Sequence, residues 1–264
     1  MKKKALKIIA GITGIILIGV ILFLANSVIG NPISSMIAEK DIKEYVEKVY
    51  PNLHLEIENP KYNFKSNNYS AYATSKTSID TRFYIYWANG SVQRNDYNSY
   101  VLGLFNTHRR LEESATNEVN PLLSKVEGVQ KARAELKNEN SDKSYNIIKL
   151  DMPFEKSSKV PFTISINVNG EDRSFTNFSR ILESTHKILK DNGYNTVYYN
   201  IYSEDDNGYC LATINDVSVE EIESGNLETL LQEAYENKAA DEIADKDKDK
   251  EKTQVEKRIS IFIK

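Results

Sequence analysis

The chain has 264 residues and a formal net charge of −4, which is long enough for one or two domains with a sizeable core. The first seven residues hold four of the 34 basic side chains, so the remainder carries 30 basic and 38 acidic groups, a formal net charge of −8; such an acidic surface disfavours nucleic acid, because it releases few counterions from phosphate polymers. The single cysteine, Cys210, excludes an intramolecular disulfide, fits a bacterial protein, and is expected to be an inert small hydrophobe in a strand.

The N-terminal residues predict a membrane anchor. Four lysines precede an uncharged stretch from Ile8 to Ala38, whose densest apolar part is Ile8–Ala25. A spanning helix needs roughly 20 apolar residues, and the lysines predict a cytoplasmic N-terminus with the rest of the chain outside the membrane. A cleaved signal peptide is disfavoured, because Ala25-Asn26-Ser27 matches an Ala-x-Ala site poorly. Residues 1–30 are therefore expected to form a single-pass transmembrane anchor.

Residues 31–120 predict the first of two small α+β domains. Ser34 or Ser35 can cap a helix with one apolar face. Alternating apolar and polar residues then predict strands at Leu53–Glu58, Tyr69–Ala73 and Thr81–Trp87. Asn89-Gly90 supplies the positive φ angles of a tight hairpin turn, so a return strand is expected directly after it. A continuous apolar stripe predicts one long helix from Tyr97 to Ala115.

A helical linker is predicted at residues 121–143 and a second α+β domain at residues 144–240. Its periodicity predicts a strand, a helix, two strands and a capped helix, at Phe162–Val168, Phe175–Leu189, Val197–Ile201, Tyr209–Asn215 and from Ser218. A charged linker is predicted at residues 241–254, and alternating isoleucines predict that residues 255–264 return as a strand on the second sheet. The predicted fold class is α+β, with an N-terminal transmembrane helix followed by two small domains in which helices pack on antiparallel sheets.

Five short motifs fall within about the first 125 residues: Gly30-Asn31-Pro32-Ile33-Ser34, Tyr50-Pro51, Tyr62-Asn63-Phe64-Lys65, Asp80-Thr81-Arg82-Phe83 and Arg109-Arg110-Leu111. In these motifs the chain resembles the YfjL-like proteins, an uncharacterised membrane-anchored family of low-G+C Gram-positive bacteria. The C-terminal half is compatible with the second domain of that family but offers no sharp motif. The resemblance implies topology and architecture, and it supplies no catalytic residue.

One motif resembles that of a serine nucleophile. Ser184-Thr185-His186-Lys187 matches the Ser-x-x-Lys of penicillin-recognising acyltransferases, in which a lysine helps to activate the serine. Ser66-Asn67-Asn68 and Lys76-Thr77-Ser78 loosely resemble the other two motifs of that group. The nucleophile motif should come first along the chain, however, and a two-residue pattern often arises by chance. The motif is therefore interpreted as an ordinary part of a helix.

Two acidic segments have residue types typical of a metal site. The oxygen-ligand spacing of an EF-hand calcium loop occurs at Asp245, Asp247, Asp249 and Glu256. The position that needs glycine holds Lys250, and interleaved lysines would repel a cation, so a solvated charged run is favoured. Asp205-Asp206-Asn207-Gly208 could coordinate a metal, but a hairpin turn needs the same residue types, and a turn is favoured.

The remaining chemical residue types are scattered. His54, His108 and His186 fall on separate predicted elements, which disfavours a metal site or a catalytic triad. The carboxylate pairs Glu112-Glu113 and Glu220-Glu221 are helical neighbours that point apart, which disfavours acid–base chemistry. No catalytic, cofactor-binding or metal-binding residue is therefore assigned, and no cofactor is expected.

Tyrosines on predicted outer faces are harder to explain. Tyr84 and Tyr86 lie on one predicted strand, and Tyr198 and Tyr202 on another, opposite the predicted core. Tyrosine offers flat apolar area with a polar tip, which suits contact with a protein or a glycan. Helices or the other domain could instead cover these faces, and tyrosine is common in strands in any case. The sequence favours this second interpretation.

These features favour a non-enzymatic binding or interaction module of the bacterial cell envelope, tethered to the membrane by its N-terminal helix. A tether raises the local concentration near a membrane partner, so an envelope protein is the expected partner, while any small-molecule ligand stays unknown. The alternative is an envelope hydrolase or acyltransferase with an unrecognised nucleophile.

Overall fold

The computed structural model of the chain describes residues 2–137, 147–244 and 259–264. Contacts divide the chain into two compact units, Met1–Asn106 and Thr107–Lys264. Each unit contains a five-stranded sheet together with helices. The α+β composition is therefore confirmed, whereas the transmembrane helix and the purely antiparallel sheets of the predicted fold are not.

The first helix, α1, runs from Lys2 to Ile29. Among the residues that the structure describes, no helix combines the length and the apolar character needed to cross a membrane. This finding overturns the transmembrane anchor predicted at residues 1–30 and the single-pass localisation that depended on it.

The second helix, α2, spans Pro32–Val49 and is capped at its start by Asn31. The Asn31 side chain accepts a hydrogen bond of 2.8 Å from the backbone N–H two residues on, which satisfies one of the free donors at a helix start. The predicted caps, Ser34 and Ser35, lie inside the helix instead. The Tyr69 hydroxyl accepts a hydrogen bond from the Asn31 N–H at 2.6 Å and donates one to its carbonyl at 2.9 Å, so this corner of the chain is fixed to the sheet.

The sheet of the first unit is antiparallel, with strand order β1-β3-β4-β5 and β2 also paired to β3. The strands are β1 Leu55–Ile57, β2 Lys61–Asn63, β3 Asn68–Ser75, β4 Arg82–Ala88 and β5 Ser91–Asn95. One face packs against α2 and forms the core with Ala38, Ile42, Val46, Tyr69, Ala71, Ala73, Phe83, Ile85 and Trp87. The predicted hairpin turn is confirmed, because Asn89 and Gly90 have φ angles of 52° and 81°.

The helix predicted from Tyr97 to Ala115 is broken into two parts. A single π-helical turn covers Asn98–Leu102 and is closed by the Gly103 N–H, which donates to the Asn98 carbonyl at 2.7 Å. Leu104 then has a positive φ of 59°, which no helix can continue. Helix α3 begins only at Phe105 and runs to Leu123. The π-helical turn and α3 both carry apolar side chains at a similar spacing. The sequence therefore showed one continuous apolar stripe and did not indicate the break between them.

The sheet of the second unit is mixed, with strand order β10-β9-β8-β7-β6. Its elements are β6 Val129–Leu136, β7 Phe162–Asn169, α4 Phe175–Asp191, β8 Thr196–Glu204, β9 Cys210–Ser218, α5 Val219–Glu223, α6 Leu227–Ala244 and β10 Ser260–Ile263. Strands β7 and β8 are parallel, because α4 carries the chain back to the starting end of the sheet between them. A purely antiparallel second sheet was therefore the wrong prediction. The predicted C-terminal strand is confirmed, since β10 pairs antiparallel with β9.

Strand β6 lies in the segment predicted as a helical linker, residues 121–143, and it forms one edge of the second sheet. Three side chains of α3 accept hydrogen bonds from its outward N–H groups. The pairs are Asn120 with the Ala132 N–H at 2.9 Å, Thr116 with the Ala134 N–H at 3.0 Å, and Glu112 with the Leu136 N–H at 3.0 Å. Successive acceptors lie four residues apart on α3, a rise of about 6 Å. Successive donors lie two residues apart on β6, about 6.6 Å, so the acceptors and the donors are evenly matched along the edge. Helix α3 thus covers an edge that would otherwise be open to pairing.

Candidate functional site

The outer face of the first sheet carries stacked aromatic rings. We call Tyr72, Tyr84, Tyr86 and Arg94 the tyrosine face. Strand register creates it, because Tyr72 lies opposite Tyr84 and Tyr86 lies opposite Arg94. The Tyr72 and Tyr84 ring centroids are 4.7 Å apart, and those of Tyr84 and Tyr86 are 6.2 Å apart. The Arg94 guanidinium carbon lies 3.8 Å from the Tyr86 ring centroid, within the range of a cation–π contact.

Asp96 fixes one end of the tyrosine face. Its carboxylate accepts a hydrogen bond from the Tyr86 hydroxyl at 2.9 Å and another from Arg94 at 3.1 Å. Burial, followed by the hydrogen bond to Asp96, raises the pKa of Tyr86, so its hydroxyl stays a donor. Tyr84 remains 41% exposed, and Tyr72 and Tyr86 are half-buried. The face is therefore ordered by its own contacts and accessible at Tyr84.

The second pair of predicted outer tyrosines does not form a comparable surface. Tyr198 and Tyr202 lie on β8, and both are half-buried. The ammonium group of the buried Lys137 lies 3.2 Å from the Tyr198 ring centroid. Tyr198 therefore packs beneath a lysine side chain.

A chain of polar side chains in the second unit connects α4, β8 and α5. In this His186 network, the two ring nitrogens of His186 lie 3.0 Å from the Tyr199 hydroxyl and 3.0 Å from a Glu223 carboxylate oxygen. Lys190 donates to the same oxygen of Glu223. The hydrogen bonds from Lys190 and then His186 lower the pKa of Glu223, while burial raises the pKa of Tyr199.

The inner part of the His186 network is enclosed, whereas Lys190 and Glu223 at its outer end are exposed. Tyr199 is completely buried and His186 is 8% exposed, so a substrate has little access to either group. We interpret the network as a structural link that holds α5 against α4. No local sequence pattern indicates this network, because Tyr199 and Glu223 lie 13 and 37 residues from His186.

The other two histidines lie elsewhere. His54 occupies a turn with a positive φ of 48° in the first unit. His108 is half-buried on α3, and burial lowers its pKa, which favours the neutral form. The structure thus leaves the three histidines on separate elements.

The residues of the nucleophile motif are not arranged for acyl transfer. Ser184 is half-buried on α4, and the adjacent base, His186, is already held by Tyr199 and Glu223. Lys76 belongs to the first unit and forms an ion pair of 2.8 Å with Glu56. Both ring nitrogens of His186 are thus occupied, so His186 is not free to act as a base for Ser184.

Metal chemistry gains no support from the described residues. Within those ranges, no group of three or more histidines, cysteines, aspartates and glutamates is placed to hold an ion. Asp205 instead accepts hydrogen bonds from the Asn207 and Tyr209 N–H groups, both at 2.9 Å, as a turn requires. The EF-hand-like spacing from Asp245 to Glu256 lies outside the described residues. Cys210 begins β9, so it lies in a strand as expected, and its side chain is exposed.

A polar groove of about 510 Å³ runs between α3 and β6. We call it the α3–β6 groove. It is lined by Arg109, Glu112, Glu113, Thr116, Asn117, Lys131 and Arg133. Arg109 pairs with Glu113 at 2.8 Å, and Arg133 pairs with Glu135 at 3.2 Å. The sequence concealed this groove because two of its seven lining residues, Lys131 and Arg133, come from the strand that was predicted as a helical linker.

Comparisons with known proteins match both halves of the chain to one family. The YfjL-like N-terminal domain matches residues 3–98, and the YfjL-like C-terminal domain matches residues 114–232. The uncharacterized protein YfjL of Bacillus subtilis (strain 168) is 27% identical over 197 residues, which cover 71% of this chain and 80% of that protein. No solved structure matches the chain.

Proposed function

We take as our premise that the chain belongs to the YfjL-like family, and we propose that it is a non-enzymatic module that binds another protein through the tyrosine face. The observation that carries this proposal is the ordered row of Tyr72, Tyr84 and Tyr86, in which Arg94 covers the Tyr86 ring and Tyr84 is accessible. Tyrosine and arginine are the residue types that contribute most to protein interfaces.

The geometry of the rings favours a protein over a flat ligand. The planes of Tyr72 and Tyr84 are tilted by 49°, and those of Tyr84 and Tyr86 by 38°. Rings tilted in this way do not form one flat platform on which a planar ligand could stack across several of them. Asp96 already restrains Tyr86 and Arg94, so a partner would immobilise few additional rotamers on binding.

Site-specific photocrosslinking tests the proposal. A photoreactive phenylalanine analogue is placed at position 84 of the full chain in cells that produce it, and in a matched chain at the more exposed Tyr209, which lies in the second unit. We expect a protein adduct of defined mass from position 84 that position 209 does not give. With the partner identified, Tyr84→Ala should weaken binding at least tenfold, which is about 1.4 kcal/mol, and Tyr209→Ala should leave it unchanged.

Three outcomes would contradict the proposal. Identical adducts from positions 84 and 209 would show that crosslinking follows exposure and not the tyrosine face. If position 84 captures a partner, but neither Tyr84→Ala nor Arg94→Ala changes the affinity of the chain for that partner, the interface lies elsewhere. A serine-reactive probe that labels the chain and fails to label Ser184→Ala would favour the hydrolase or acyltransferase alternative instead.

A further inference from the structure

Glu112 carries a charge that its structural role does not need. It is one of three α3 side chains that accept hydrogen bonds from β6, and the other two, Thr116 and Asn120, perform the same role without a charge. Burial is the main reason that the pKa of Glu112 is raised, so ionising this carboxyl costs stability. A neutral side chain at position 112 would cover the strand at lower cost. The carboxylate is therefore a candidate for another use.

Among the described residues, Glu112 forms no ion pair of its own, although the charge of Arg133 acts on its carboxylate. In the described part of the chain, the cations nearest in the groove form ion pairs with other carboxylates, Arg109 with Glu113 and Arg133 with Glu135. Lys131 is exposed at the far end of the groove. The α3–β6 groove thus presents a half-buried carboxylate at one end and an exposed ammonium group at the other.

The spacing of these two charges indicates the size of a ligand. Glu112 is bonded at the level of Leu136, five residues along β6 from Lys131, or about 17 Å at 3.3 Å per residue. The Glu112 carboxylate already lies at the Leu136 level, so only the length of the Lys131 side chain can shorten this gap. A free amino acid is too short to span it, whereas an extended peptide of three residues measures roughly 10 Å.

We propose that the α3–β6 groove binds a short zwitterionic peptide of about three residues, with its ammonium group at Glu112 and its carboxylate at Lys131. This inference is independent of the tyrosine face, which lies in the first unit. Each end of the ligand is recognised by one charge, so removing either charge from the ligand or from the groove weakens binding. The specificity is for the two termini and not for the side chains.

Three peptides test this assignment on the full chain. Triglycine carries both terminal charges, N-acetyl-triglycine lacks the ammonium group, and triglycine amide lacks the carboxylate. In amide NMR titrations, we expect saturable shifts for residues 109–117 and 131–136 with triglycine, and at least fivefold weaker binding for either capped peptide. Glu112→Gln keeps the acceptor for Leu136, so the variant is expected to fold while losing its preference for the free ammonium group.

Lys131→Gln should lose the preference for the free carboxylate in the same way. Lys125→Gln is a matched control, because Lys125 is also exposed and does not line the groove. Equal binding of all three peptides, shifts that do not saturate, or a Glu112→Gln variant that still prefers the free ammonium group would each overturn the proposal.

Discussion

Gly30 holds the corner between α1 and α2 in a conformation that other residues rarely adopt. Its φ angle is +85°, and an added Cβ would lie 2.6 Å from the Tyr62 ring and 2.8 Å from the Tyr69 hydroxyl. The same hydroxyl binds both backbone groups of Asn31. The glycine is therefore required twice, for its backbone angle and for the close approach of two rings.

Replacing Gly30 with alanine should destabilise the first unit by more than the backbone angle alone explains. Gly90 is a matched control, because its φ angle is +81° and no atom lies within 4 Å of an added Cβ. We expect Gly30→Ala to lower the free energy of unfolding by about 1–3 kcal/mol more than Gly90→Ala does, since the clash adds to the shared cost of a positive φ. Urea unfolding followed by the fluorescence of Trp87, the single tryptophan, reports on this unit alone. Equal losses would show that the corner relaxes without cost.

The start of α2 was readable from the sequence. Asn31 is a favoured cap and Pro32 a favoured first helical residue, so the pair marks the helix start better than Ser34 or Ser35 does. The position of the Tyr69 hydroxyl was not readable, because Tyr69 lies 38 residues away and reaches Asn31 only after β3 has paired. A helix cap formed by neighbouring residues can thus be predicted from the sequence, whereas a contact between residues distant in the chain cannot.

Strand β6 shows where element prediction fails. Its sequence contains lysine, arginine, glutamate and alanine, which favour helices over strands. The period of two was present, since Ala132, Ala134 and Leu136 are buried, but alanines give a weak apolar signal. Pairing with β7 and the side chains of α3 decide the structure. The parallel pairing of β7 and β8 was predictable in principle, because a helix was already expected between those two strands.

Two substitutions at Glu112 separate the roles of its hydrogen bond and its charge in covering β6. Glu112→Ala leaves the Leu136 N–H without its acceptor and should destabilise the second unit by about 1–3 kcal/mol. Glu112→Gln keeps the acceptor and removes a carboxylate whose pKa is raised by burial. A raised pKa means that the folded state disfavours ionisation, so the wild type loses stability as the pH rises through that pKa.

Glu112→Gln should therefore match the wild type near pH 4 and equal or exceed its stability at pH 7. Chemical unfolding followed by far-ultraviolet circular dichroism at both pH values measures the difference. If Glu112→Gln loses as much stability as Glu112→Ala at pH 7, the charge itself holds the strand. A neutral acceptor, as at Thr116 and Asn120, would then not be sufficient at position 112.

Across the whole chain, the sequence predicted which faces are apolar but not which faces meet. Alternation placed Tyr84 and Tyr86 on one side of β4, while Tyr72 and Arg94 joined them only through strand register. The α3–β6 groove and the His186 network likewise depend on pairings between distant elements. The parts of the candidate sites on one element were thus visible in advance, and the parts assembled from several elements were not.

The predicted domains, residues 31–120 and 144–240, call for a test of independent folding. The buried core of the first unit lies wholly within residues 38–101, and the Asn106 side chain donates to the Asp80 and Arg82 carbonyls, so the unit is complete at residue 106. A fragment of residues 30–106 should therefore unfold cooperatively in urea, with the marginal stability of a few kcal/mol expected for its size. Fluorescence of Trp87 detects the transition. If the fragment shows this transition only after residues 107–264 are added, the two units fold as one domain. A unit whose core lies wholly within residues 30–106 should not need those residues to fold.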